Sequence, residues 1–252
     1  MPDYVYPIAG ILLGVIIGSF LATLVCRWPV GVSVMAGRSK CDHCEHQLSA
    51  GELVPIISHL MQSGKCRNCG QPVGSDHIVI EIAAGLIGGF AFYVAPVAEA
   101  MSGAIFGWIL LTLAALDAKH QWLPDRLTVT LAIGGLASSL FVDSPDFTSR
   151  IFGGVLGFSA LFLIARTYRL LRGRDGLGGG DPKLLGAIGC WLGWQMLPFV
   201  ILGSSLIGLL SLLGMRFRGE AITASAALPF GSFMAIAAFP MWLLQTYWSG
   251  QI

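Results

Sequence analysis

The chain has 252 residues, of which 55% are hydrophobic and only 12% are charged. Soluble domains carry about 25% charged residues, so this composition excludes an ordinary soluble protein and indicates one embedded in a lipid bilayer. The net charge of +1 excludes the basic surface that a nucleic-acid-binding protein needs, and we predict no nucleic-acid partner. Nothing in the sequence indicates an oligomeric state.

Apolar runs of about 17–25 residues predict membrane-spanning helices. The first lies at about 8–26, and because no basic residues precede it we expect an uncleaved span rather than a signal peptide. Seven further runs lie at about 77–95, 100–116, 127–142 and 151–165, and from about residues 182, 196 and 228. The sequence therefore predicts an all-α polytopic membrane protein with about eight transmembrane helices.

The distribution of charge predicts the orientation of these spans, because cytoplasmic loops are enriched in Lys and Arg. With eight spans and both termini outside, 14 of the 15 Lys and Arg residues fall in cytoplasmic loops. Arg150 alone is predicted to lie outside. The same orientation puts the long polar segment 27–76 in the cytoplasm, so we predict three parts: a first transmembrane helix (1–26), a cytoplasmic cysteine domain (27–76) and a membrane domain (77–252).

The cysteine domain contains two Cys-x-x-Cys pairs separated by 21 residues. Such pairs can hold a metal between four thiolates arranged as a tetrahedron. We therefore predict a structural Zn²⁺ site made of Cys41, Cys44, Cys66 and Cys69.

Three alternatives to this zinc site stay open. Disulfides would require the segment to lie outside the reducing cytosol. His43 or His46 could replace one thiolate as a ligand. A catalytic zinc usually has mixed ligands and keeps an open coordination position.

Asp117 ends the third apolar run. A negative charge near a helix C-terminus opposes the helix dipole, and acidic residues at membrane depth are costly, so Asp117 is a candidate functional residue. The alternative is a solvated boundary residue that pairs with Lys119 or Arg126.

The sixth run begins with GLGGGDPKLL, residues 176–185. Aspartate before proline is typical of a helix N-cap, but a cap does not explain Gly178, Gly179 and Gly180, which cost chain entropy. Consecutive glycines suit a backbone that turns tightly and lets a peptide pass close by. A phosphate-binding loop is the rival explanation, but Asp181 stands where the Walker pattern requires lysine.

Asp117 and Asp181 would form a hydrolytic pair if the fold brings them together. Two close carboxylates cannot both ionise cheaply, so one keeps a proton. The charged one can take a proton from water while the neutral one donates to a carbonyl oxygen. Because the pair titrates as a unit, neither residue is assigned the acid role. Asp125, in the stretch LPDRLT, is interpreted mainly as a helix N-cap.

Taken together, these motifs resemble those of the type IV prepilin peptidases, membrane aspartyl proteases of the GxGD class. The resemblance covers nearly the whole chain and keeps the family's motif order. It rests on residues 18–29, the two cysteine pairs, 76–81, Asp117 with Leu123–Thr128, Gly178–Ala187 and Leu228–Gly231.

The resemblance implies an enzyme of the bacterial inner membrane, with the cysteine domain and active site facing the cytoplasm. Such enzymes cut the basic leader from prepilins and from pseudopilins of type II secretion, after a glycine. Many also methylate the new N-terminal amine with S-adenosylmethionine. By motif match the catalytic residues would be Asp117 and Asp181. The active-site loop would contain Gly178, Gly179, Gly180, Lys183 and Asp125, and Asp125 is the second choice for the upstream aspartate.

Two departures from the family pattern bear on methylation rather than on cleavage. Between the cysteine pairs, residues 52–59 (ELVPIISH) keep the Pro and Ser of the usual Asn-x-x-Pro-x-x-Ser-aromatic pattern but lack its Asn and aromatic residue. Where the chain returns to the membrane, the usual Arg-Tyr-Pro is absent and Glu81 remains. A carboxylate just inside a span could help to hold a sulfonium or an amine, so Glu81 is the methylation candidate.

Two other functions stay open at this point. A transporter or assembly scaffold would use the two aspartates to bind a cation or relay protons, with zinc stapling a docking domain. A related protease would cut some other membrane substrate. The cysteine domain favours pilin-like substrates, because other GxGD proteases lack it.

Overall fold

A computed structural model describes residues 4–34, 39–41, 43–219 and 228–249, and this part of the chain is helical, with no β-strand. The predicted all-α polytopic membrane fold is confirmed. The helices are α1 (Val5–Arg27), α2 (Ile57–Met61), α3 (Asp76–Val94), α4 (Val97–His120), α5 (Asp125–Ser138), α6 (Phe147–Arg172), α7 (Asp181–Leu192), α8 (Leu197–Phe217) and α9 (Phe230–Ser249).

Helices occupy all eight predicted apolar runs, but not all of them are long enough to span a bilayer. Within the described residues, five are long and apolar enough to cross a membrane: α1, α3, α4, α6 and α8. The 12 residues of α7 rise only about 18 Å, which is less than the hydrocarbon core of about 30 Å. Helix α7 is therefore a short element held by its neighbours rather than a span in its own right.

The chain divides into two compact units, Met1–Tyr93 and Val94–Ile252. In the first unit, α1 and α3 pack closely through small residues. A Cβ atom added at Gly10 would lie 2.5 Å from the carbonyl oxygen of Gly88, so this contact excludes any larger side chain. The division at residues 26 and 76 stays a prediction.

Helix α7 forms the centre of the second unit. All its residues except Lys183 are buried, and it packs against α5 and α6, while α9 packs against α4 and α8. The Trp191 indole donates a hydrogen bond to the carbonyl oxygen of Leu131 at 2.6 Å and stacks on Phe106 at 4.9 Å between ring centroids. These contacts fix the C-terminal end of α7, so the position of its N-terminal residue, Asp181, is fixed as well.

Arg150, predicted to lie outside, is part of a helix and is buried. It lies in the first turn of α6, which begins at Phe147, and is 2% exposed. The helix starts before the apolar run because Asp146 caps it, accepting a hydrogen bond from the backbone N–H of Ser149 at 3.1 Å. The guanidinium reaches back to the end of α5, where it donates to the carbonyl oxygen of Gly135 at 2.8 Å. Its burial is explained by these backbone acceptors.

Candidate functional site

Asp117 is held between α4 and α9. It lies one turn before the end of α4 and is 6% exposed. Ser232, in the first turn of α9, donates to Asp117 Oδ2 through its backbone N–H at 2.7 Å and through its hydroxyl at 3.1 Å. The same hydroxyl lies 2.8 Å from the carbonyl oxygen of Ala114. Ser232 therefore joins α9 to α4 at the carboxylate.

Asp181 is the first residue of α7, and the N-cap position belongs to Gly180. Interpreting Asp181 as the N-cap is therefore wrong. Its carboxylate turns back along the glycine run and accepts a hydrogen bond from the backbone N–H of Gly178 at 3.0 Å. It is 5% exposed.

The fold brings Asp117 and Asp181 close enough for their charges to interact. Burial, and after it the negative charge of Asp117, raise the pKa of Asp181 to about 6, against the lowering effect of the Gly178 N–H. A carboxyl with this pKa exchanges its proton near neutrality. Two neighbouring carboxyl groups of which one is readily protonated can share a single proton.

Asp125 and Lys183 lie at the edge of this pair. Asp125 is the first residue of α5, whose N-cap position belongs to Pro124, so the interpretation of Asp125 as the N-cap is also wrong. Lys183 Nζ lies 2.6 Å from Asp125 Oδ1, and both side chains are largely exposed. Exposed ion pairs are worth less than about 1 kcal/mol, so this one joins the starts of α5 and α7 only weakly.

The four cysteines form a compact cluster in the first unit. Their Sγ atoms all lie within 4.8 Å of one another, with 3.9 Å between Cys41 and Cys69 and 4.0 Å between Cys44 and Cys66. All four are free thiols. A tetrahedral tetrathiolate zinc site has sulfur–sulfur edges of about 3.8 Å, from Zn–S bonds of about 2.3 Å. Four thiols at these distances are the donor set of a structural zinc site and need to close by at most about 1 Å to reach that geometry.

The two Cys-x-x-Cys pairs of this cluster have the same local backbone hydrogen bonds. The N–H of Cys41 donates to His46 O, and the N–H of Cys66 donates to Gln71 O, each at 2.9 Å. A hydrogen bond from the Asn68 amide is the largest of the contacts that lower the pKa of Cys44 to about 6. A thiol with a pKa of about 6 is largely a thiolate at neutral pH, the form that binds a metal, whereas burial and the neighbouring thiols raise the pKa of Cys69 to about 11.

Glu81 lies in α3 and is 5% exposed. Its Oε2 accepts a hydrogen bond from the backbone N–H of Ile56 at 2.7 Å. Glu81 also lines a cavity of about 640 Å³ within the first unit, together with Ser19, Thr23, His59 and His77. Cavities of about 300–1,000 Å³ accommodate small-molecule ligands.

Two family models match consecutive parts of the chain. The Bacterial Peptidase A24 N-terminal domain matches residues 12–96, and the Type IV leader peptidase family matches residues 104–213. The prepilin leader peptidase/N-methyltransferase of Stutzerimonas stutzeri is 31% identical over 98% of this chain and 92% of its own length. The chain belongs to the type IV leader peptidase family. This confirms the resemblance and the prediction of a peptidase that is also an N-methyltransferase.

Other members of the type IV leader peptidase family match equally well. The enzyme of the same name from Pseudomonas aeruginosa is 31% identical over 98% of this chain and 92% of its own length, and that from Aeromonas hydrophila is 32% identical over 90% and 87%. No solved structure matches the chain.

Sequence reasoning missed Ser232, which follows directly after the Leu228–Gly231 motif. A polar residue in the first turn of an otherwise apolar helix was the available signal. Its partner could not be predicted, because the hydrogen bond joins residues 115 positions apart.

Proposed function

We propose that this enzyme removes the basic leader from type IV prepilins or type II secretion pseudopilins, with Asp117 and Asp181 as the catalytic dyad. The main support for this proposal is that two buried carboxyl groups, one from α4 and one from α7, lie close together in a chain of this family. The concentration of Lys and Arg in alternate loops supports an active site at the cytoplasmic face of the inner membrane.

The dyad would hydrolyse the peptide bond with one shared proton. The ionised carboxylate takes a proton from water, and the resulting hydroxide oxygen bonds to the scissile carbonyl carbon. The neutral carboxyl gives its proton to the carbonyl oxygen. The tetrahedral gem-diol then breaks its C–N bond: the leaving amine receives a proton from one carboxyl group, and a hydroxyl of the intermediate gives its proton to the other, which restores the singly protonated dyad. Ser232 and the Gly178 N–H orient the two carboxyl groups throughout.

Methyl transfer would use the cavity in the first unit. S-adenosylmethionine supplies the methyl group when it is bound, and a cavity of about 640 Å³ is large enough for a ligand of its size. Glu81, at the wall of the cavity, would hold a positively charged sulfonium or amine. Its hydrogen bond from Ile56 orients the carboxylate toward this role.

One assay with two readouts tests this function. Membranes containing the wild type, the double variant Asp117→Asn/Asp181→Asn or Glu81→Gln receive a prepilin with a basic leader and isotopically labelled S-adenosylmethionine. We expect the double variant to lose cleavage but to methylate substrate that has already been cut. Glu81→Gln should cleave normally and lose methyl transfer at least about tenfold. Glu99→Gln, in the second unit, is the control for Glu81 and should behave as wild type.

Each outcome decides a different part of the proposal. Normal cleavage by the double variant contradicts the dyad. If the same variant instead loses ion flux or pilus assembly, a transporter or scaffold is favoured. Wild-type methyl transfer by Glu81→Gln contradicts the role of Glu81.

Zinc binding is a separate expectation. We propose that Cys41, Cys44, Cys66 and Cys69 hold a structural Zn²⁺. Elemental analysis of the purified wild type should find about one zinc per chain. Cys66→Ser should lose most of it, and Cys190→Ser, a buried cysteine outside the cluster, should keep it. Equal zinc content in the two variants would contradict the site.

A further inference from the structure

Leu123 packs against two glycines that adjoin the catalytic candidates. It is in the segment that joins α4 to α5 and is half-buried. A Cβ atom added at Gly180 would lie 2.8 Å from Leu123 Cβ, and one added at Gly231 would lie 2.8 Å from Leu123 Cδ1. The Leu123 side chain is therefore in close contact with both glycines.

Each of these glycines adjoins one carboxyl group. Gly180 is bonded directly to Asp181. A Cβ atom at Gly231 would lie 3.0 Å from Asp117 Oδ2 as well as against Leu123. The Leu123 side chain consequently packs against the residue that precedes Asp181 and against the glycine that faces the Asp117 carboxylate.

The glycine run that leads to Asp181 has free space beside it at Gly179. A Cβ atom at Gly179 would have no neighbour within 4 Å, and at Gly178 the nearest atom would be Asp181 Oδ2 itself, at 3.2 Å. The backbone at Gly179 therefore leaves room for a peptide, whereas the space between Gly180 and Gly231 is occupied by Leu123.

We propose that Leu123 is a specificity-determining residue, which fills the space beside the scissile carbonyl so that the residue that carries this carbonyl must lack a side chain. This inference rests on the proposed cleavage function. The scissile carbonyl must come within hydrogen-bonding distance of both carboxyl groups. A substrate Cβ atom next to that carbonyl would then be forced against Leu123. This leucine cannot move away easily, because Gly180 and Gly231 already contact it on two sides. Misplacement by about 1 Å costs on the order of 100-fold in rate.

The test compares two prepilins that differ only in the residue before the scissile bond, glycine or alanine. The measured quantity is the ratio of their kcat/KM values within one enzyme variant, so differences in yield or folding cancel. We expect the wild type to favour glycine by at least about 100-fold. Leu123→Ala should reduce this ratio below about tenfold, because the methyl group of alanine then finds room. Leu123→Val should give an intermediate ratio, and it replaces Leu123→Ala if that variant does not fold.

Leu127→Ala is the matched control, since Leu127 is also half-buried and lies four residues further on, in α5. It should keep the wild-type ratio. An unchanged ratio in both Leu123 variants, or an equal change in Leu127→Ala, overturns the role of Leu123 while leaving the proposed cleavage intact. A wild type that cleaves neither prepilin overturns the proposed function and this inference together.

Discussion

Asparagine in place of either Asp117 or Asp181 is expected to lower kcat for leader cleavage by about 1,000-fold or more. Asparagine has nearly the shape of aspartate and keeps one oxygen that can accept the hydrogen bonds from Ser232 or Gly178. It cannot carry the shared proton. Because the two carboxyl groups act as a unit, each single variant should be nearly as inactive as the double variant. Cleavage by purified protein in lipid vesicles gives the measurement.

Asp125→Asn is the internal control for this prediction. It removes only the exposed ion pair with Lys183, so kcat should stay within about fivefold of the wild type. Inactive Asp125→Asn together with active Asp117→Asn would make Asp125 the upstream aspartate and leave the protease function standing. Activity in all three variants would contradict hydrolysis by an aspartate pair.

The parts of the site that the sequence could predict are those set by local pattern. The apolar runs predicted the helices because each is long and uninterrupted. The two Cys-x-x-Cys pairs predicted the cysteine cluster because each builds its own tight turn, with Cys41 and Cys66 making equivalent backbone hydrogen bonds. The approach of Asp117 to Asp181, 64 positions apart, followed from family motifs rather than from any local physical rule.

The contacts that were not predicted depend on how helices far apart in the sequence pack against one another. Ser232 reaches Asp117 only because the first turn of α9 lies against α4. Leu123 becomes part of the site only because Gly180 and Gly231 approach it from α7 and α9. The division between the runs that begin at about residues 182 and 196 was predicted from the local sequence, and α7 does end at Leu192. Side-chain contacts between different helices have no comparable signal in the local sequence.

The contacts of Arg150 also could not be predicted from the local sequence. Its substitution is expected to have the largest effect on stability. Arg150→Ala is expected to lower the free energy of unfolding by about 3–5 kcal/mol. The guanidinium is almost fully buried and converges on acceptors at the ends of α5 and α7 and in the loop before α6. These acceptors are the carbonyl oxygens of Gly135, Val142, Ser144, Pro145 and Trp191 and the hydroxyl of Ser138.

Alanine at position 150 would leave several of these buried acceptors without a donor, and each such group costs about 1–3 kcal/mol. Relief from burying the charge offsets part of that cost. Arg169→Ala is the matched control, because it removes the same side chain from the same helix. Arg169 is exposed and pairs with Asp175 at the surface, so its loss should cost less than about 1 kcal/mol. Unfolding of both variants in one detergent compares them directly. Equal loss of stability would mean that the carbonyl groups around Arg150 find other donors, whereas the expected difference isolates the contribution of burial.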